Sequence, residues 1–273
     1  MPCFFKRHIC LFLFSFLLFF SCDLIEYHPY DGDLDSDASR DVNVTNIALI
    51  ETACEGKDTI RFILMGDTQR NYDETEDFVD HVNQLSGIDF VIHGGDYTEY
   101  GLTREFEWND EILSKLEIPY VGLIGNHDIL ANGEDVYREM FGDENFSFVV
   151  NDVKFVCLNT NALEYEDSTY VPDFDYIQQE IADSTSHKRT VVVMHAPPAS
   201  EQFISEEVED LFQSTIRQFP TLMFCLHAHN HTVSAVDIFD DGIIYYGCAN
   251  IAQRKYHLFT ITPDDYAYEV VDF

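Results

Sequence analysis

The chain has 273 residues, which suits one large domain or two small ones, and its apolar content of 46% is ordinary for a globular protein. It carries 50 acidic against 15 basic residues, a formal net charge of -35. Because nucleic acids and anionic lipids are bound through basic surfaces, this charge argues against sequence-independent binding to either.

The N-terminus has the order of a secretory signal. Lys6 and Arg7 precede an apolar run from Ile9 to Phe20, which is too short to span a bilayer, and Ser21 and Cys22 follow it. A cysteine directly after a small residue resembles a bacterial lipoprotein signal. We therefore expect residues 1–21 to be a signal peptide and Cys22 to be lipidated, with an ordinary cleaved signal as the alternative. The protein is expected to be exported and held in the cell envelope, at the outer membrane or in the periplasm, through Cys22 alone.

Residues 22–58 are rich in acids and poor in long apolar runs. This composition is typical of a tether that cannot bury enough apolar surface to fold. We expect an acidic linker here, between the membrane and a folded domain that occupies residues 59–273.

From residue 59 onward, short apolar runs alternate with patterns of helical spacing. The order strand, loop, helix repeats and implies parallel pairing in an α/β sheet. The later part of the chain is richer in hairpins. Strands are predicted at 60–65, 88–92, 118–124, 146–150, 153–158, 190–194, 221–226, 233–239, 243–248, 256–261 and 266–271, and helices at 73–85, 103–116, 134–141, 173–182 and 201–219.

Five of the predicted strands end in polar side chains. Beyond the carboxyl ends of strands is where open α/β sheets bind ligands. In chain order these side chains are Asp67 with Gln69, Asp96, Asn126 with His127 and Asp128, His195, and His229 with His231. Oxygen and imidazole donors suit borderline divalent metals such as Mn, Fe or Zn. These side chains are too many to bind one metal ion, and a carboxylate can bridge two ions. The pattern therefore favours a two-metal site for phosphoryl displacement.

The same residues resemble the ordered motif series of the calcineurin-like metallophosphoesterases. The motifs are Gly66-Asp67, Gly95-Asp96, Gly125-Asn126-His127-Asp128, His195 and His229-Asn230-His231. The resemblance covers the chain from about residue 59 to its end. It implies a four-layer α-β-β-α sandwich, an α/β fold of two mixed sheets packed face to face with helices outside. It also implies a dinuclear-metal-dependent phosphohydrolase in which a metal-bound hydroxide cleaves a phosphate ester.

The resemblance further implies a role for each residue. For the first ion the ligands would be Asp67, Gln69, Asp96 and His231, and for the second Asp96, Asn126, His195 and His229. His127 would orient the phosphate, stabilise charge or protonate the leaving oxygen, and Asp128 would hold the ring of His127. This chain has Gln69 where the family commonly has histidine, so the first ion is expected to bind loosely or to be Mn or Mg, because an amide oxygen is a weaker ligand than imidazole for zinc-like ions.

Three functions remain open on the sequence. The first is a phosphohydrolase for small phosphorylated substrates, since a net charge of -35 repels polyanions such as nucleic acid. The second is a non-catalytic metal- or ligand-binding surface lipoprotein of the same fold, which only Gln69 and Ala228 favour. The third is a pyrophosphatase acting on nucleotide or lipid diphosphates. Turnover of a panel of substrates separates them.

Overall fold

A computed structural model of the protein describes residues 32–165, 171–183 and 185–273. The predicted signal peptide and Cys22 lie outside these residues, so export and lipidation stay predictions. Within the described ranges no helix combines the length and the apolar character that a membrane span requires.

The described residues contain every strand and helix predicted from the periodicity, with ends that differ by up to five residues in either direction, and one further α-helix. The helices are α1 (Val42–Cys54), α2 (Tyr72–Val82), α3 (Thr103–Leu113), α4 (Gly133–Phe141), α5 (Phe174–Ala182) and α6 (Glu206–Ile216). The strands are β1 (Ile60–Met65), β2 (Phe90–His93), β3 (Tyr120–Gly122), β4 (Phe146–Val150), β5 (Val153–Leu158), β6 (Arg189–Met194), β7 (Leu222–His227), β8 (Ser234–Asp237), β9 (Ile244–Gly247), β10 (Lys255–Ile261) and β11 (Tyr266–Asp272).

The strands form two mixed sheets. The order of the five-stranded sheet is β11-β10-β1-β2-β3, in which β1, β2 and β3 are parallel, β10 pairs antiparallel with β1, and β11 pairs antiparallel with β10. The order of the six-stranded sheet is β4-β5-β6-β7-β9-β8, in which β4 and β8 are antiparallel edges around four parallel strands. Within each sheet the parallel strands, β1 to β3 in one and β5, β6, β7 and β9 in the other, have their carboxyl ends at one edge.

A shared apolar core joins the two sheets, and helices cover their outer faces. Phe62 of β1 meets Phe155 of β5 edge-on, with ring centroids 5.3 Å apart. Phe78 of α2 packs in the layer outside the five-stranded sheet, and Phe212 of α6 packs in the layer outside the other. The fold is therefore the predicted four-layer α-β-β-α sandwich.

The prediction of an acidic linker is wrong where helix α1 forms, at Val42–Cys54. This helix contacts the edge strands β3 and β4, and its Ile50 enters the core between the sheets. The buried amide of Asn43 donates to the Gly122 carbonyl at 2.9 Å and accepts from the Gly122 N–H at 2.8 Å. The helix buries the polar Asn43 and exposes the apolar Val44, which is 67% accessible. Its sequence therefore lacks the apolar stripe by which an amphipathic helix is predicted.

Candidate active site

All the predicted site residues lie in the loops that follow strands β1, β2, β3, β6 and β7. The first three strands are parallel neighbours in one sheet, and the last two are parallel neighbours in the other. Packing of the two sheets brings these loops together at one edge of the sandwich. The polar side chains there form two groups of contacts, which share Asp96.

The first group consists of Asp67, Asp96 and His231, whose possible ligand atoms lie within 4.8 Å of one another. The Asp67 carboxylate is fully buried, and neither of its oxygens has a hydrogen-bond partner among the described residues. His231 Nε2 is 3.4 Å from Asp67 Oδ1, and the Asp67 carboxylate raises the pKa of His231. A buried carboxylate without donors is unstable unless a positive charge compensates it. These residues therefore fit a divalent cation.

Gln69 lies beside the first group. Its Nε2 is 3.3 Å from Asp96 Oδ2, so in this structure the amide donates to the carboxylate through its nitrogen. Binding of an ion through the Gln69 oxygen would require the amide to turn over. The predicted role of Gln69 as a metal ligand stays a prediction.

Replacing Gln69 with histidine is expected to tighten binding of the first ion. Imidazole is a better ligand than an amide oxygen for zinc-like ions, and histidine tolerates the left-handed backbone (φ 37°) that Gln69 adopts. We expect a gain in Zn²⁺ affinity of about tenfold or more, corresponding to at least about 1.4 kcal/mol, measured by competition with a fluorescent chelator.

Gln69→Met is the matched control, because it keeps the length of the side chain and removes the amide. Lower affinity in Gln69→Met than in the wild type would show that the amide oxygen is a ligand. Equal affinity in Gln69→His and Gln69→Met would contradict the expected gain.

The second group consists of Asn126, His195 and His229, together with Asp96. His195 Nδ1 donates to the Gly94 carbonyl at 2.8 Å, so its Nε2 faces Asn126 Oδ1 at 3.1 Å and Asp96 Oδ2 at 3.5 Å. His229 Nδ1 lies 3.0 Å from the same Asn126 Oδ1. Amide, carboxylate and imidazole atoms thus converge on one space, and this donor set suits a borderline divalent ion.

The electrostatics of the second group agree with a cation site. Burial lowers the pKa of His195, but the neighbouring Asp96 carboxylate outweighs burial and raises it to about 9. Burial lowers the pKa of His229. A positive charge is thus favoured next to Asp96, and a divalent ion bound there would compete with the proton on His195.

The backbone holds the predicted ligands in an unusual conformation. Left-handed backbone costs energy for residues other than glycine, and it persists where the surrounding structure enforces it, often at functional sites. The predicted ligands with positive φ are Asp67 (52°), Gln69 (37°), Asp96 (61°), His229 (64°) and His231 (53°). Gly125 is required beside them, since a Cβ there would lie 2.2 Å from Asp96 Oδ1. The fold itself therefore fixes the positions of the ligands.

His127 begins a short 3₁₀ helix, His127–Ile129, at the mouth of this arrangement. Its backbone N–H donates to Asp96 Oδ1 at 3.0 Å, and its ring Nδ1 is 2.8 Å from the Glu99 carbonyl, to which it donates. Burial lowers the pKa of His127, but the charge of Asp96 and the Glu99 carbonyl outweigh it, so the pKa is raised. The ring is therefore anchored next to Asp96 and tends to carry a proton.

The prediction that Asp128 holds the ring of His127 is wrong. The Asp128 carboxylate is fully buried and accepts from the N–H groups of Asp96 and Gly125, at 2.8 and 2.9 Å, and from the N–H and hydroxyl of Thr98, at 2.9 and 3.0 Å. Successive side chains of a 3₁₀ helix point about a third of a turn apart, so the two neighbours diverge. Burial raises the pKa of Asp128 to about 7. Asp128 braces the loops after β2 and β3.

Two contacts of the site, of Glu99 with His127 and of Glu201 with His229, were not predicted from the sequence. The Glu99 contact uses a backbone carbonyl, so the residue type carries no signal for it. Glu201 Oε1 lies 2.9 Å from His229 Nε2, although the sequence placed Glu201 in a helix at 201–219. Helix α6 begins at Glu206, and Glu201 belongs to the loop before it. No spacing relative to the motifs could have identified this contact.

A two-sheet sandwich that presents carboxylate, amide and imidazole side chains at its strand ends has the donor set of a metal-dependent hydrolase. The sequence model of the calcineurin-like phosphoesterases matches residues 60–233, well over half of the chain. The chain therefore belongs to the calcineurin-like phosphoesterase family. This assignment confirms the predicted family and the class of enzyme, a metallophosphoesterase.

Individual relatives are distant. The glycerophosphodiester phosphodiesterase GpdQ of Enterobacter lignolyticus (strain SCF1) is 24% identical over 174 residues, which cover 57% of this chain and 62% of the relative. The purple acid phosphatase PPD1 of yellow lupin has a TM-score of 0.57 and 12% identity over 78% of this chain and 51% of its own. The protein TT1561 of Thermus thermophilus has a TM-score of 0.53 and 14% identity over 78% of this chain and 99% of its own. The structural likenesses show the fold.

Proposed function

We propose that the chain hydrolyses phosphoric esters at a site that holds two divalent metal ions, with Mn, Fe and Zn as the candidates. The observation that carries this proposal is the position of Asp96. It lies within 4.8 Å of Asp67 and His231 in the first group, and its Oδ2 is 3.5 Å from His195 Nε2 in the second. A carboxylate shared by two groups of ligands is suited to bridge two ions.

The chain's own residues would orient the ester and move a proton. When bound, the ions supply Lewis acidity toward the phosphate and lower the pKa of the attacking water. His127 Nδ1 is engaged by the Glu99 carbonyl, so Nε2 is the nitrogen that would contact a phosphate oxygen. The raised pKa of His127 favours a protonated ring, which stabilises negative charge and gives a proton to the leaving oxygen.

The substrate we propose is a small phosphorylated molecule. The net charge of -35 repels polyanions, the carboxylate of Glu201 contacts His229, and the charge of Glu99 acts on His127 and raises its pKa. Arg70, which is 71% exposed, lies 3.6 Å from Glu99 and offers a single positive charge to a small anion. The relative named as a glycerophosphodiester phosphodiesterase supports testing diesters alongside monoesters.

Removal and return of metal tests the proposed function. Protein stripped with a chelator is expected to lose all hydrolysis of p-nitrophenyl phosphate and bis-p-nitrophenyl phosphate, because no side chain of the site replaces the Lewis acid. Addition of Mn²⁺ or Zn²⁺ is expected to restore turnover in proportion to occupancy, with saturation at two ions per chain. Elemental analysis gives the occupancy, and the preferred ester identifies the class of substrate.

The same experiment separates the rival functions when a nucleotide diphosphate and a lipid diphosphate are added to the panel of substrates. Turnover of a nucleotide or lipid diphosphate with neither p-nitrophenyl ester hydrolysed would favour a pyrophosphatase. Binding of two ions with no turnover in the whole panel would contradict the proposal and favour a non-catalytic binding protein.

A further inference from the structure

A carboxylate outside the predicted site contacts one of its imidazoles. Glu201 lies in the loop between β6 and α6, and its Oε1 is 2.9 Å from Nε2 of His229, in the loop after β7. The Glu201 side chain is 66% exposed and the His229 side chain is 8% exposed. The contact therefore joins the outer rim of the site to a member of the second group.

This contact determines which nitrogen of His229 carries the hydrogen in the neutral ring. An ionised carboxylate only accepts hydrogen bonds, so Nε2 must donate to Glu201. The lone pair of the neutral ring is then on Nδ1, which lies 3.0 Å from Asn126 Oδ1. The ring thus offers its lone pair to the space that Asn126 and His195 also face.

The loop that carries Glu201 is anchored on its far side. Gln202 is 2% exposed, and its Oε1 accepts from the Leu163 N–H at 3.1 Å. Phe203 is also buried, with its ring 5.3 Å from that of Phe212 in helix α6. The Glu201 side chain is exposed, but its backbone is therefore held in place. Less conformational entropy is then lost when the Glu201 side chain bonds to His229.

We propose that Glu201 is a positioning residue for the second metal ion. It holds the His229 ring with Nε2–H outward and the Nδ1 lone pair toward Asn126, and in this way sets the affinity of the second group for its ion. Partners of this kind behind metal-binding histidines typically contribute about 10–100-fold in metal affinity. This inference rests on the proposed function.

Glu201→Ala and Glu201→Gln test the proposal in the chain of 273 residues. Glu201→Ala is expected to weaken binding of the second ion by about 10–100-fold and to leave the first within about twofold, measured by stepwise calorimetric titration with Mn²⁺ or Zn²⁺. Glu201→Gln is expected to recover part of this loss, because its amide oxygen still accepts the Nε2–H. Glu206→Gln, which changes an exposed acid at the start of α6, is the matched control and should bind both ions like the wild type.

A second readout needs no metal. ¹⁵N NMR of the His229 ring in chelator-treated protein should show the Nε2–H tautomer in the wild type and in Glu201→Gln, and a mixture of tautomers in Glu201→Ala. If the wild type binds no second ion, the proposed function fails and Glu201 positions no ligand for it, while the tautomers still show whether Glu201 fixes the His229 ring. Unchanged second-ion affinity in Glu201→Ala, or an Nδ1–H tautomer in the wild type, would overturn the proposal.

Discussion

Replacing Asp96 with asparagine is expected to remove metal from both groups and to lower kcat/KM for ester hydrolysis by more than about 10³-fold, since the ions supply several kcal/mol of charge stabilisation. Asp96 is the carboxylate that the two groups share, and the amide that replaces it is a neutral, weaker ligand. Asparagine has the same shape and tolerates the φ of 61° at this position, so the fold should survive. Metal content by elemental analysis and rates with both p-nitrophenyl esters check the result.

Asp67→Asn is the informative comparison for Asp96→Asn. Asp67 lies only in the first group, within 4.8 Å of Asp96 and His231, so its replacement should remove one ion and leave the second. Circular dichroism and a urea unfolding curve for each variant show that the loss of metal is local. Retention of both ions in Asp96→Asn would mean that this carboxylate does not bridge them.

Replacing His127 with alanine is expected to lower kcat by about 10²–10⁴-fold while two ions remain bound. Among the described residues, the His127 ring hydrogen-bonds to the Glu99 carbonyl, and the hydrogen bond from His127 to Asp96 comes from the backbone N–H, which alanine keeps. The variant therefore removes a proton donor without disturbing the ligands. Steady-state kinetics and elemental analysis on the same preparation measure the two effects.

The leaving group distinguishes proton donation from charge stabilisation. An alkyl phosphate needs a proton on its leaving oxygen far more than a p-nitrophenyl ester does, so the defect of His127→Ala should be larger on the alkyl ester. His81→Ala, on helix α2 and bonded to Tyr256, is the control for loss of an imidazole. Equal defects on both esters would leave His127 with a role in charge stabilisation only, and loss of an ion would make it part of the metal site.

The ligand positions were predictable because two simple patterns coincide. Buried strands appear as short apolar runs, and parallel neighbours bring their carboxyl ends to one edge. Asp67, Asp96 and Asn126 follow three such strands, and the structure places them in the two groups described above. The layers of the fold came from the resemblance of the motif series, and the two mixed sheets agree with it.

The partner of Asp128, the Glu201 contact and the pairing of β1 with β10 depended on information that strand patterns do not contain. A motif shows which residues follow a strand but not where adjacent side chains point, so Asp128 was given the wrong partner. The Glu201 contact depends on the path of the loop after Pro197 and Pro198, which only the packing of Gln202 and Phe203 determines. Pairing of β10 with β1 joins segments that lie near opposite ends of the folded chain, and nothing local in either strand specifies it.

The brace formed by Asp128 makes the site part of one cooperative unit. Loops at the ends of strands commonly open by local unfolding at low cost, while the sheet beneath them stays intact. Here, opening of the loop after β2 would strip hydrogen-bond donors from the buried Asp128 carboxylate, and opening of the loop after β3 would leave the N–H groups of Asp96 and Thr98 without their acceptor. Either change carries a large desolvation penalty. The candidate ligands are therefore released mainly when the core itself loosens. Substitutions deep in the sandwich, far from the predicted metal ligands, would therefore lower activity by shortening the time for which the hydrogen bonds of Asp128 stay closed.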